Sequence, residues 1–344
     1  MYSYLDRWCR ISVRVMGCSL ACVVFLQSSV ASEQQGLMEK LAEQNRANVA
    51  AVKTLVLREE VTEISIPDPG WRETYVDSMK KAREDVLKSA AAGGGGEAVL
   101  ASLERDYAQR LGQADALAKI YELNCSLSLG RCRRLDFVTE RARFEDVDRR
   151  DLDALLSEAN LDRGLRTSLS RSKTYLAYPD HCTHLPAEGS DLAVVFELPR
   201  FKADVERLSV GLIPSWVFLD EKLVRQVVAD EDAGGPLVDV SCRYAGKDRD
   251  VLRFRVRPAR AYRIERWTTY HDDGQPAEEM RFEDYRLVQD AWLPFKTSVS
   301  RRNPEGKVTL TQDAKLLGAE VNVPLGNVLF EVPAGLHVQD IRVK

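Results

Sequence analysis

"DVLRFRVRP", Asp250 to Pro258, sets Leu252, Phe254 and Val256 against Arg253, Arg255 and Arg257 in strict alternation. Successive side chains of a strand point to opposite faces, so this pattern puts one face in a core and the other in water. The stretches that follow repeat it: "AYRIERWTTY", "EEMRFEDYRLV", "WLPFKTSVSRR" and "KVTLTQDAKLL". The short segments "HDDGQP", "QDA" and "NPEG" separate them. Successive strands joined by tight turns form an antiparallel meander.

One of these turns also carries chemistry-bearing residues. "YHDDGQP", Tyr270 to Pro276, puts His271 beside Asp272 and Asp273. Gly274 supplies the positive φ that a hairpin tip requires, and the aspartate before it tolerates the same region. The segment therefore reads as a turn with His271 and Asp272 on the rim, and no third group in the sequence completes an acid/base or metal site.

Towards the N-terminus the periodicity changes. Apolar residues from Leu37 to Val52 recur at helical spacing, and "TLVLREEVTEISI", ended by "PDPG", reads as a strand and a turn. From about residue 71 to 120 the spacing is three and four again, with Gly93 to Gly96 in between, which predicts an inserted αα-hairpin. That glycine run lacks the Lys-Ser/Thr ending of a phosphate-binding loop. "RLDFVTERARF" and "SKTYLAY" then read as strands around a short helix, "DLDALLSEANL". The carboxylates Asp146, Asp148, Asp151 and Asp153 lack the glycine and distant glutamate of a calcium loop and read as a solvated helix start. Long strands following helices give the α+β class.

The chain has 344 residues, of which 44% are hydrophobic and 30% charged, with a net charge of −4. Its arginines are dispersed, which argues against a nucleic-acid partner. Arg7, Arg10 and Arg14 precede the apolar run "VMGCSLACVVFL", and "QSSVAS" follows, the three-part pattern of a signal peptide over residues 1–31 with cleavage after Ala31. The expected product is an exported, soluble chain of residues 32–344. The alternatives are an uncleaved N-terminal anchor and lipidation at Cys18 or Cys22. Four cysteines remain: Cys125, Cys132, Cys182 and Cys242. In an oxidising compartment they allow two disulfides in three pairings; Cys125 with Cys132 closes the shortest loop and leaves Cys182 with Cys242, and buried free thiols are the other reading.

Catalytic motifs do not emerge. "HCTH" brings His181, Cys182 and His184 together, yet zinc requires three or four converging ligands. H-E-x-x-H and G-x-S-x-G are missing, and Ser78/Lys81 and Ser170/Lys173 have none of the companion motifs of a Ser-x-x-Lys enzyme. The expectation is a non-enzyme with no metal and no cofactor.

The C-terminal segment also resembles a family. Trp292, Leu293 and Pro294, the turn glycine Gly306, Asn322, and the closing Phe330, Pro333, Gly335, Val338 and Asp340 follow the order seen at the end of LolA-like periplasmic lipoprotein carriers. The N-terminal helix followed by a strand agrees, while the inserted hairpin has no counterpart in the compact carriers. The resemblance implies one half-barrel domain over residues 32–344: a strongly curved antiparallel sheet with helices in its concave face and room for acyl chains. It implies lipid or lipoprotein acyl chains as partners, with Phe254, Tyr262, Phe282 and Phe295 as concave-face ligand contacts. Anti-sigma regulators of the bacterial envelope carry a similar half-barrel, which makes a protein partner the alternative.

Overall fold

A computed structural model describes residues 34–67, 70–92, 101, 104–105, 107–108, 111–126, 129–138, 141–178, 181–186, 192–197, 211–214, 216–325 and 330–340. The expected signal peptide and the Gly93–Gly96 turn lie outside these residues. Among the described residues, no helix is long and apolar enough to cross a membrane.

Fourteen strands form one sheet, ordered β14-β6-β5-β4-β3-β2-β1-β13-β12-β11-β10-β9-β8-β7. All neighbours are antiparallel except β14 (His337–Asp340), which runs parallel to β6 (Leu192–Glu197). The ends of this order do not pair, so the sheet is an open half-barrel, α+β as expected. The meander is β9 (Leu252–Arg257), β10 (Arg263–Tyr270), β11 (Pro276–Val288), β12 (Ala291–Arg302) and β13 (Val308–Val321). Before it come β7 (Leu223–Asp232) and β8 (Gly235–Tyr244). The other arm holds β2 (Leu129–Val138), β3 (Arg141–Asp148), β4 (Lys173–Ala177), β5 (His181–Leu185) and β6. The central strand β1 (Thr54–Ser65) pairs with β2 on one side and β13 on the other, and so joins the arms.

Helix α1 (residues 34–51) lies against the inward face of the β7–β12 arm. Leu41 is fully buried there, flanked by Leu37 and Met38. Below it, Asn45 and Ile213 exchange two hydrogen bonds, Nδ2 donating to the carbonyl at 2.8 Å and the Ile213 N–H donating to Oδ1 at 3.1 Å. Asn48 Nδ2 donates to the Ala261 carbonyl at 2.7 Å, a bond that pins the helix to the turn before β10.

Helices α2 (Trp71–Ala92) and α3 (Ala114–Ser126) form the expected inserted pair. Trp71 stacks on Tyr121 with ring centroids 4.6 Å apart, and Arg72 pairs with Asp115 at 2.6 Å. Arg83 meets Glu104 at 2.7 Å, so the two limbs run antiparallel. Ile120 of α3 joins Leu152 and Leu156 of α4 (Leu152–Glu158) in a leucine cluster that ties the pair to the sheet arm.

The turn at Tyr270–Pro276 is a turn as read. Gly274 sits at φ +85° and its N–H donates to the His271 carbonyl. His271 Nε2 donates to the Arg302 carbonyl at 2.9 Å, stapling this hairpin tip to the next.

The four-aspartate cluster is corrected by the structure. Asp151 caps α4 by accepting from the Ala154 N–H, and Asp153 lies in its first turn. Asp146 and Asp148, however, belong to β3, and their side chains are buried against arginines. The disulfide expectation is corrected too: all four cysteines are free thiols. Cys182 and Cys242 lie on β5 and β8, far apart in the strand order. Cys132 alternates with Arg131 and Arg133 and so points through the opposite face of β2.

Candidate functional site

Strand register shows how the inward face is built. One rung crosses Glu63, Gln312, Val299, Met280 and Trp267 and continues through Phe254, Val240 and Val227. From Val299 onward every member is buried in the core under α1. That arm is filled: Phe254 stacks on Trp267 at 5.6 Å, and Trp216 meets Trp267 edge-on at 6.2 Å.

The β1–β5 arm differs. Two neighbouring rungs are apolar, Leu55–Phe137–Ala142–Ala177–Cys182 and Leu57–Leu135–Phe144–Tyr175–His184. Here Phe137, Tyr175, Ala177 and, on β12, Phe295 are only half-buried. The next rung on the same face is charged: Glu59–Arg133–Asp146–Lys173. The one beyond it, Val61–Arg131–Asp148, is partly so.

The charged rungs form one buried network. Arg131 donates from Nη1 to Asp146 Oδ2 at 2.8 Å and from Nη2 to Glu63. Arg133 donates from Nε to the same Asp146 oxygen at 3.3 Å and from Nη2 to Gln312 Oε1 at 2.8 Å. Three polar atoms of this network have no hydrogen-bond partner among the described residues: Arg131 Nε, Arg133 Nη1 and Asp146 Oδ1. Orphaned buried atoms on charged groups are costly, and they are uncommon enough to require a reason.

Glu59 stands where the charged and apolar rungs meet. Its residue surface is part-exposed, yet burial pushes its carboxyl up to about 7, against the pull of Arg133 and with help from Asp146. Burial disfavours the charged form of a carboxyl, which is why its value rises although Arg133 is its neighbour. Along the neighbouring apolar rung, burial and then Lys173 hold the His184 imidazole below its ordinary value, and His184 stacks on Tyr175 at 4.8 Å.

The residues singled out from sequence are divided between these regions. Phe254 and Phe282 are buried in the filled core, and Tyr262 packs at its margin with the Lys40 ammonium 5.9 Å from its ring. Phe295 packs against the other cluster, with the Arg286 guanidinium 4.3 Å over its ring. Burial pushes the Cys182 and Cys242 thiols up to about 12, so neither is poised as a nucleophile. Among the described residues no cluster of histidine, cysteine or carboxylate could hold a metal.

Sequence reading missed Glu59, Glu63, Arg131 and Arg133. The signal was present on β1, where Glu59, Val61 and Glu63 continue the inward parity of Leu55 and Leu57.

No known family model matches the chain, and no curated protein matches it. Solved structures are similar to it, among them three that each cover more than four fifths of the chain. A DUF1329 family protein from Desulfovibrio piger is 12% identical, covering 85% of this chain and 94% of its own, with a TM-score of 0.45. A putative outer membrane lipoprotein-sorting protein domain from Vibrio parahaemolyticus is 10% identical, covering 83% and 93%, with a TM-score of 0.40. A LolA superfamily protein from Nitrosomonas europaea is 8% identical, covering 85% and 94%, with a TM-score of 0.41.

Proposed function

We infer that this chain is an exported binding protein of the bacterial envelope that takes an acyl chain onto the inward face of its half-barrel and performs no chemical step. One observation carries the reading: the apolar rungs of the β1–β5 arm keep Phe137, Tyr175 and Ala177 half-buried, while the rung from Val299 to Val227 under α1 is closed. Half-covered aromatic and aliphatic surface inside a curved sheet suits an extended hydrocarbon, which gains roughly 0.8 kcal/mol per buried methylene. The sequence pattern from Trp292 to Asp340 points to the same class of cargo. The domain is read as one unit over residues 32–344.

The test is to produce residues 32–344 in a bacterial periplasm and examine the protein by native mass spectrometry and organic extraction. A stoichiometric acyl adduct, or saturable uptake of a fluorescent fatty acid that Tyr175→Ala weakens, is the expected result. A clean apo mass with no uptake overturns the reading.

A second reading, a module that docks a protein partner, is favoured by one feature. The aromatic ladder Tyr75–Trp71–Tyr121 stacks along the inserted pair, and α2 has no fully buried side chain among its described positions. Retained acyl uptake after removal of the pair would separate this role from the first.

A further inference from the structure

We propose that the charged rung beside the apolar rungs is a headgroup subsite: Arg133, with Glu59 beside it, receives the anionic oxygen-bearing headgroup of an acyl lipid whose chain lies over Phe137, Tyr175 and Ala177. The inference rests on the acyl-binding reading above and adds the chemistry of the ligand's polar end.

Three observations support it. The rungs are adjacent on one face, Leu57–Leu135–Phe144–Tyr175 next to Glu59–Arg133–Asp146–Lys173, so an amphiphile lying along the strands meets an apolar rung and then a charged one. Arg133 is buried, 6% exposed, and its Nη1 has no hydrogen-bond partner among the described residues although Nε and Nη2 are both used. A guanidinium with a spare N–H is a directional donor to a phosphate, sulfonate or carboxylate oxygen. Finally, Glu59 is part-exposed and stands on β1 directly beside Arg133, at the junction of the charged and apolar rungs.

Charge decides when the site accepts an anion. The groups around Glu59 are Arg133 and Arg131 on β2, Asp146 on β3, Lys173 on β4, Glu63 on β1 and Gln312 on β13. With Glu59 protonated, the two arginines and Lys173 outweigh Asp146 and Glu63, Asp148 being neutralised by Arg150 at 2.6 Å, and the neutral carboxyl can itself donate to the headgroup. Once Glu59 ionises, the balance is gone and its charge faces the ligand. Binding of an anionic lipid therefore weakens as pH rises through about 7.

The experiment compares hexadecane-1-sulfonate, whose charge is fixed across this range, with uncharged hexadecan-1-ol and with inorganic phosphate, each competing against a bound fluorescent acyl probe at pH 6 and pH 8. The expected result is about a ten-fold preference for the sulfonate over the alcohol at pH 6, mostly lost at pH 8, with no competition by phosphate. Glu59→Gln keeps the preference at pH 8. Arg133→Gln removes it at both pH values. Should Arg133→Gln fail to fold, the pH-independent preference of Glu59→Gln still decides. Equal affinities of sulfonate and alcohol at pH 6, or a pH profile that Glu59→Gln leaves unaltered, overturn the headgroup subsite but not acyl binding. Competition by phosphate alone identifies a free-anion site and overturns it too. Binding of neither amphiphile overturns both readings.

Discussion

The two arms of the sheet share one inward face and are filled by opposite means. On the β7–β12 arm the face is closed by α1 and by Trp267, Phe254 and their neighbours. On the β1–β5 arm the apolar rungs are only partly covered, and the rungs beside them bury arginines and carboxylates. Both arms obey the same period of two, so alternation reports which side chains turn inward and is silent on what meets them there. A core can be closed by a helix or left as a floor for something else.

The sharpest way to break this contrast is to remove the anchor of the filled arm. Trp267→Ala is expected to cost about 4 kcal/mol in a denaturant titration, the range for losing a large buried aromatic. A cost near 1 kcal/mol would mean that this arm is as loosely filled as the other. Next in size is Asp146→Ala, which strands Arg131 and Arg133 in a dry network and should cost about 3 kcal/mol by the same measurement.

Glu59→Gln tests the junction of the charged and apolar rungs through pH. A carboxyl whose folded value is raised leaves the folded state unaffected below its unfolded value near 4.5 and costs it stability as pH climbs towards 7, a cost that is constant above that. The substitution should therefore leave stability unchanged at pH 4 and raise it by roughly 1 to 3 kcal/mol at pH 8. An equal gain at both pH values would assign the effect to packing. Tyr175→Ala, on the half-covered apolar rung, should cost only about 1 kcal/mol, less than a fully buried aromatic, since part of its surface is already in contact with water. Smallest is His271→Ala at the turn, about 0.5 kcal/mol, because its one bond to the Arg302 carbonyl lies at an exposed rim.

Much of this architecture was legible in the chain. The meander from β9 to β13 could be read strand by strand because each run is bounded by turn residues and alternates cleanly, and the inserted helices declared themselves by spacing. The functional part was less legible for a physical reason. "REEVTE" on β1 and "RCRR" on β2 look like wet faces, and they are inward only because the register pairs Glu59 with Arg133 and Val61 with Arg131. Charges that neutralise one another across strands cannot be told from solvated charges until the pairing is known. Asp146 was read as solvated for the same reason. Cysteine count alone suggested bridges, but the strand order separates Cys182 from Cys242.

Strand β1 has a further consequence, for how the molecule is made. Leu55 pairs with Val321 and Phe137 at once, so the seam between the arms needs a partner far along the chain. Each arm is a run of neighbouring hairpins that can form from local contacts, whereas the β1–β13 seam must close a very long loop, with the entropy cost and slowness that non-local pairing brings. Refolding should accordingly show two fast local phases and a slower one in which the half-barrel becomes a single sheet. Until that last step, the edge of β13 and the inward faces of both arms are open to any other strand or apolar surface nearby.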